Sequence, residues 1–477
     1  MKILFVASEA VPFCKTGGLA DVAGELPVAL AKLGQDVSVV LPKYSSINAK
    51  YVKEFKYLGN FYVEMLGHSE YVGVFKYIDK GVTFFFIDNE KYFNRPNLYG
   101  YDDDAIRFGF FDCAVVRMIQ QLKLHFDIIH LHDWQAGMVA PLIRENFLWD
   151  DLFKNTKIMM SIHNAAYQGL CDKNYLYNIF HISMDQYNNG KTRFKDALCF
   201  LKSGIFYADR VFTVSEQYMK ELQNGENAYG LELLLSYRKN DFFGVLNGVD
   251  YETYNPSNDP LIAKNFTKYD VNKILNKGAL QKQFNLVEGN DIPLLVMITR
   301  FTFQKGIDLV LANVDYIVSQ GAELVVLGSG ESQYEAAFEA FHSKYPDKVG
   351  IYRGYNDELA HKIYAGGDIL LMPSAFEPCG ISQLIGMRYG TIPVARNVGG
   401  LHDSIIDYNK SITQGDGFLF EHYDAQGLRY GISSALLRYK SLVKWRGIVK
   451  NAMAQDFSWE RSAKKYLELY ESSPLKG

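Results

Sequence analysis

Lys15-Thr16-Gly17-Gly18-Leu19-Ala20-Asp21 sets two adjacent glycines between a lysine and an acid. Glycine lets backbone N–H groups approach an anion closely, and a helix opening at that point adds the positive end of its dipole. Arg300-Phe301-Thr302-Phe303-Gln304-Lys305-Gly306 carries two cations in one short loop. Such a pair suits a diphosphate, because Arg offers two donors in a planar fork and Lys a compact charge. When a diphosphate leaves a sugar, negative charge grows as the bond breaks. Losing one donor placed to meet that charge typically costs about 100- to 1000-fold in rate.

Pro373-Ser374-Ala375-Phe376-Glu377-Pro378-Cys379-Gly380 places a carboxylate just before a predicted helix that opens near Ile381 and Ser382. A carboxylate there can accept sugar hydroxyls while the first helical amides face phosphate. His130-Leu131-His132-Asp133-Trp134-Gln135 and Ser161-Ile162-His163-Asn164 bring histidines to two further loops. A metal site is the other reading of these histidines. They lack helical i, i+3 or i, i+4 spacing and no cysteine joins them, so no metal is expected. Arg353-Gly354-Tyr355-Asn356-Asp357 offers Tyr355 for stacking on a base, and Asn397-Val398-Gly399-Gly400-Leu401 repeats the glycine-loop logic. Each of these loops taken alone is compatible with a plain turn or a solvated surface charge.

The elements that must carry these loops are strands. Lys2 to Ala7, Asp36 to Leu41, Val82 to Ile87, Asp127 to Leu131, Lys157 to Ile162 and Arg210 to Val214 read as buried strands, with Pro42 stopping the second. The pattern restarts at Leu294 to Thr299, Leu324 to Leu327, Val349 to Tyr352, Ile369 to Met372 and Ile392 to Ala395. Amphipathic stretches separate the runs. Strand–helix alternation implies parallel sheets covered on both faces, with ligands bound beyond the carboxyl ends of the strands. The expected fold is therefore α/β: two doubly wound, Rossmann-like domains facing across a cleft. The turn-rich stretch Asn247-Gly248-Val249-Asp250 through Asn255-Pro256 is the join. This divides the chain into 1–246, 247–455 and a terminal helix within 456–477.

The 477 residues exceed one ordinary core, and 48% hydrophobic with 22% charged residues is a globular composition. A formal charge of −4 gives no basic footprint for nucleic acid. No apolar run approaches the roughly 20 residues needed to cross a bilayer. Five scattered cysteines without C-x-x-C spacing fit a reducing cytoplasm. An oxidoreductase holding NAD is the rival from another class. The first loop lacks the G-x-G-x-x-G spacing, and the second strand ends at Pro42-Lys43 without a ribose-binding acid.

Taken together, these segments closely resemble the bacterial glycogen synthase and plant starch synthase family of retaining glycosyltransferases. The resemblance runs from Lys2 to about Tyr470, strongest at Lys15–Asp21 and Gly354–Gly380, with support from Asp456-Phe457-Ser458-Trp459-Glu460. It implies the GT-B fold, with domain 1–246 on the acceptor side and 247–455 on the donor side. It implies transfer of glucose from ADP-glucose to the non-reducing 4-OH of glycogen or another α-1,4-glucan, with no cofactor. Arg300 and Lys305 would hold the diphosphate. Gly17 and Gly18 would supply amides, with Lys15 and Asp21 nearby. Glu377 would bind the glucose and steady the transition state, helped by His163 and Asp133. Asn247, Tyr355, Cys379, Gly380, Ile381 and Ser382 would complete the donor contacts. A UDP-glucose enzyme and a non-catalytic glucan-binding relative are the alternatives. Two departures stand out: Ala375, where the family commonly has Arg, and Ile385, where many related transferases have a second Glu.

Overall fold

The computed structural model describes residues 1–475. The chain divides into two compact units, Met1–Gly248 with Trp459–Gly477, and Val249–Ser458. Asn247 thus lies in the first unit, and the last helix, Trp459–Glu471, belongs there too.

The first unit contains the strands β1 (Lys2–Val6), β2 (Asp36–Pro42), β3 (Lys56–Met65), β4 (His68–Asp79), β5 (Val82–Asp88), β6 (Ile128–His132) and β7 (Lys157–Ile162). It continues with β8 (Leu170–Cys171), β9 (Arg193–Phe194), β10 (Ala197–Cys199), β11 (Arg210–Thr213) and β12 (Phe242–Gly244). Nine of them form one sheet in the order β12-β11-β7-β6-β1-β2-β5-β4-β3, and β8-β10-β9 form a small second sheet. Residues Ile3 to Val6 are wholly buried, as are Ile129 and Leu131 on β6. Burial on both faces is what near-continuous apolar runs produce in a parallel sheet.

The end of this sheet departs from the sequence reading. β3 and β4 form an antiparallel hairpin that extends the parallel core, joined by Leu66 and Gly67 at φ 53° and 78°. β4 returns to β5 through Lys80 and Gly81 at φ 46° and 81°. Two consecutive left-handed residues make the hairpin turn whose twist matches the strands. Pro42 does not stop β2 but occupies its last paired position, opposite Ile87.

The second unit contains β13 (Leu294–Ile298), β14 (Glu323–Gly328), β15 (Val349–Arg353), β16 (Ile369–Met372), β17 (Ile392–Arg396) and β18 (Phe418–Phe420). They form a six-stranded parallel sheet in the order β15-β14-β13-β16-β17-β18.

Each of the two large sheets reverses its winding once. In the first unit the strands run outward from β1 in one direction and from β6 in the other; in the second the divide falls between β13 and β16. Loops leaving the carboxyl ends of the two divergent strands spread apart there, and ligands of open α/β sheets bind in the resulting crevice. The glycine loop of Lys15–Asp21 follows β1 and Asp133 follows β6. Arg300–Gly306 follows β13 and Pro373–Gly380 follows β16. No described helix is long and apolar enough to cross a membrane.

Candidate active site

In the second unit three loops are locked together by backbone contact. Gly306 has φ +69°, and a β-carbon there would lie 2.1 Å from the Pro373 carbonyl oxygen. Glycine is the one residue that permits both that dihedral and that approach. Ala375 N–H donates to the Gln304 carbonyl at 2.8 Å, and Gln304 Nε2 donates to the Phe376 carbonyl at 3.2 Å. From the third loop, Gly400 N–H donates to the Glu377 carbonyl at 3.0 Å, and a β-carbon at Gly399 would meet that same oxygen at 1.9 Å. The loops after β13, β16 and β17 therefore behave as one rigid platform.

That platform presents an ion pair. Lys305 Nζ donates to Glu377 Oε2 at 2.6 Å, and Ser374 Oγ donates to the same oxygen at 2.9 Å. Glu377 is 5% exposed. Charge-assisted bonds of this length hold both groups in place. Arg300 is exposed at the end of β13, and its guanidinium has no hydrogen-bond or ion-pair partner among the described residues. A buried carboxylate held by one cation, with a second cation left over, can accept hydroxyls and still attract an anion.

Cys379 is buried and Gly380 has φ +72°, so the chain turns sharply into the helix Ser382–Arg388. Ile381 caps that helix, and the Ser382 hydroxyl bonds the buried Tyr364. The sequence reading missed Gln383. Its fully buried amide donates to the carbonyls of Cys379 at 3.0 Å and Gly380 at 3.1 Å, and to Ser404 Oγ at 3.1 Å. It also missed Arg396, whose guanidinium donates to the Ala375 carbonyl and ties the end of β17 to the loop after β16. Ile385 is buried and offers no carboxylate. Tyr355 is 80% exposed, and its hydroxyl donates to Asp357 at 2.9 Å.

In the first unit Lys15 Nζ pairs with Asp21 Oδ1 at 2.6 Å. A residue that the sequence reading passed over, Glu9, sits beneath the glycine loop. Its carboxylate accepts from Thr16 N–H at 2.5 Å and Thr16 Oγ1 at 2.8 Å, and from the Gly17 amide. Burial, reinforced by Asp21, raises the Glu9 carboxyl above its ordinary range. The glycine-loop amides are thus partly claimed by a carboxylate of the chain itself. Gly18, the first residue of the helix Gly18–Lys32, stands in open space: a β-carbon there would meet no atom within 4 Å.

Asp133 has φ 57°, an unusual dihedral for a non-glycine residue, and its Oδ1 accepts from the His163 amide at 2.7 Å. Burial pushes its carboxyl up to about 7. His163 Nε2 lies 2.9 Å from His132 Nδ1, and burial pulls the His163 imidazole down to about 3. His132 packs against His130 with the rings tilted by 32°, and His130 bonds Ser161 Oγ at 2.7 Å and Tyr470 Oη of the last helix at 2.6 Å. These are neutral imidazoles at pH 7, so His163 is a hydrogen-bonding group and not a cation. Among the described residues no group of His, Cys, Asp and Glu is arranged to hold a metal.

Next in sequence to Asp133, Trp134 lines a pocket of about 370 Å³ with Tyr101, Asp102, Leu170, Asp172 and Tyr175. Gly169, at φ +62°, lets the chain pass over Trp134, where a β-carbon would come within 2.4 Å of the ring. Asn247 is 4% exposed, and its Oδ1 has no partner among the described residues.

Residues 2–237 match the model of the starch synthase catalytic domain, and residues 280–451 match that of glycosyl transferases group 1. The glycogen synthase of Clostridium kluyveri is 45% identical, covering 99% of this chain and 100% of that one. That of Geobacillus stearothermophilus is 41% identical, covering 99% and 97%. Among solved structures, the catalytic domain of starch synthase IV from Arabidopsis thaliana, bound to ADP and acarbose, matches with TM-score 0.91 and 34% identity over 99% of both chains. Sucrose-phosphate synthase from Thermosynechococcus elongatus matches with TM-score 0.64 and 18% identity over 99% of this chain and 98% of that one, a likeness of fold alone. With two doubly wound units, charged loops at both switch points and full-length identity of this order, the chain belongs to the glycogen synthase and starch synthase family and is a glucosyltransferase of GT-B fold.

Proposed function

We propose that the protein transfers glucose from ADP-glucose to the non-reducing 4-OH of an α-1,4-glucan, with retention of the anomeric configuration. The observation that carries this reading is the Lys305–Glu377 pair beside the unpartnered Arg300, on loops locked at the switch point of the second unit. The relatives named glycogen synthase support the reaction, and the ADP and acarbose bound by the plant starch synthase support the donor and acceptor classes.

In the proposed step the bond between glucose C1 and the β-phosphate oxygen breaks, and its electron pair stays on that oxygen. Arg300 and Lys305 meet the charge that develops there. Glu377 steadies the positive character left on the sugar. The acceptor's 4-oxygen bonds to C1 on the face the diphosphate leaves, and its proton passes to a phosphate oxygen. The products are ADP and a glucan one residue longer.

We further assign phosphate contacts to Lys15, with Asp21 as its resting partner, and to the Gly18 amide; the Gly17 amide, held by Glu9 in the resting protein, joins them only on leaving that carboxylate. Sugar hydroxyls fall to His163, Asp133 and the buried Asn247. The turn Cys379–Ser382 carries donor contacts through its backbone, and Tyr355 carries the base. The pocket beside Trp134 suits the acceptor, since an indole face and several carboxylates match a pyranose. The test is release of nucleotide diphosphate from ADP-glucose with glycogen present, with the new linkage read by NMR. The expected result is ADP formation and α-1,4 extension. UDP-glucose run in parallel decides the nucleotide, and absence of product with both donors overturns the reading.

A further inference from the structure

Gln383 takes no part in the proposed step, yet the turn that follows Glu377 is built around its side chain. The residue is fully buried, with its amide nitrogen 3.0 Å from the Cys379 carbonyl, 3.1 Å from the Gly380 carbonyl and 3.1 Å from Ser404 Oγ. The two carbonyls can only accept, and Ser404 donates its own hydrogen to the Gly400 carbonyl at 2.6 Å. All three neighbours therefore require a donor, and only the nitrogen end of the amide supplies one. Gln383 Oε1 has no partner among the described residues and sits 2.5 Å from where a β-carbon of Gly380 would stand. A buried oxygen left unpaired is unfavourable, so the side chain keeps this orientation for the sake of its nitrogen contacts.

The same bonds reach the acid. Gly400 N–H donates to the Glu377 carbonyl at 3.0 Å, and a β-carbon at Gly400 would lie 2.0 Å from the Cys379 carbonyl oxygen. One side chain thus joins the turn Cys379–Ser382 to the helix Gly399–Ser404, and that helix holds the backbone of Glu377.

What Gln383 does to the carbonyls decides where the amides point. The peptides Cys379–Gly380 and Gly380–Ile381 are trans, and in a trans peptide the N–H points opposite to the C=O. With both carbonyls drawn inward onto Gln383, the amides of Gly380 and Ile381 turn outward. Both residues are partly exposed, and neither amide has an acceptor among the described residues. Gly380, at φ +72°, lets two successive carbonyls converge on one group. Two successive amides at such a left-handed turn make an anion-binding concavity.

We propose that Gln383 is a positioning residue for the departing diphosphate: by drawing the Cys379 and Gly380 carbonyls inward, it aims the Gly380 and Ile381 amides at the β-phosphate oxygen on which charge develops. This rests on the reading of the turn Cys379–Ser382 as part of the donor site. Gln383 touches no substrate and acts through the backbone it holds. Donors preset in this way need no reorganisation as the bond to glucose breaks.

The test uses the full chain with Gln383→Met, which keeps the length and bulk of the side chain but carries no donor. Initial rates of ADP release read kcat and KM, calorimetry reads the affinities for ADP and for AMP, which lacks the β-phosphate, and thermal unfolding reads stability. Removing an oriented donor typically costs about 100- to 1000-fold in rate; here both amides remain and lose only their aim, so kcat should fall about 10- to 100-fold. ADP affinity should fall about threefold or more, while AMP affinity and KM for glycogen stay within about twofold of the wild type. A folded Gln383→Met that loses Tm but keeps kcat and ADP affinity within about twofold overturns the proposal and assigns Gln383 to packing alone. An equal fall in AMP affinity also overturns it, because the damage then lies in the site at large and not in the β-phosphate donors. Ser404→Ala removes the hydroxyl between Gln383 and Gly400 and leaves every residue of the turn in place. It carries the test if Gln383→Met fails to fold: kcat should fall by about two- to tenfold, and an unchanged kcat overturns the proposal. If the wild type releases no ADP from ADP-glucose, the proposed reaction fails, and the calorimetric comparison of ADP with AMP still decides the role of Gln383.

Discussion

Replacing Lys305 by Ala separates a catalytic cation from a merely structural one. Lys305 Nζ stands 2.6 Å from Glu377 Oε2, and the two side chains are 18% and 7% exposed. Its removal leaves the Glu377 carboxylate with the Ser374 hydroxyl as its side-chain donor, a loss of about 1–3 kcal/mol for a largely buried charge-assisted bond. For a unit of this size each kcal/mol lowers Tm by about 2–4 °C, so the variant stays folded at 25 °C. If Lys305 also meets the leaving diphosphate, kcat falls by about 100- to 1000-fold, or roughly 2.7–4 kcal/mol of barrier. The assay is initial-rate ADP release at 25 °C under saturating ADP-glucose and glycogen, with thermal unfolding on the same preparation. A variant that loses several degrees of Tm but keeps kcat within threefold would show that Lys305 serves only to hold Glu377, and the phosphate role would be refuted.

Gly306→Ala should destabilise the protein by at least about 2 kcal/mol, since φ +69° and the 2.1 Å approach to Pro373 both oppose a β-carbon. Thermal unfolding should show a fall of several degrees, and an unchanged Tm would contradict the locked-loop description. Trp134→Ala should raise KM for a malto-oligosaccharide about tenfold or more while leaving ADP affinity within twofold; steady-state kinetics with ADP titration reads both. His163 is pulled down to about 3 in the folded protein against about 6.5 unfolded, so its contribution is complete above about pH 6.5 and is lost as pH falls toward 3. The wild type should therefore lose about 1–2 kcal/mol more stability between pH 7 and pH 5 than His163→Gln does, in denaturant titrations at both pH values. Equal losses would place a charged imidazole at this position.

The central strands were legible because a sheet covered on both faces leaves little room for polar residues: Ile3 to Val6, Lys157–Ile162 and Ile369–Met372 read directly as apolar runs. The β3–β4 hairpin was not legible, because its turns use Leu66 and Lys80 at positive φ, where Asn or Asp would have signalled it. Its strands also alternate exposed tyrosines with buried residues and so resemble no buried run. At the site, the glycine loops and the residues Lys15, Arg300, Lys305 and Glu377 stood out by type and spacing. Glu9, Gln383 and Arg396 did not, since most of their partners are backbone groups that only the folded loops bring to them. Asp133 and His163 were visible as polar residues after strands, but not the burial that leaves one carboxyl near 7 and the imidazole neutral.

The central claim is that the cations of the second unit receive the departing nucleotide diphosphate. A crystal structure of the protein with ADP tests it most directly. The account predicts β-phosphate oxygens within about 2.7–3.0 Å of both the Arg300 guanidinium and Lys305 Nζ. A bound ADP whose phosphates lie away from both side chains, with Arg300 in solvent and Lys305 still given over wholly to Glu377, would contradict it.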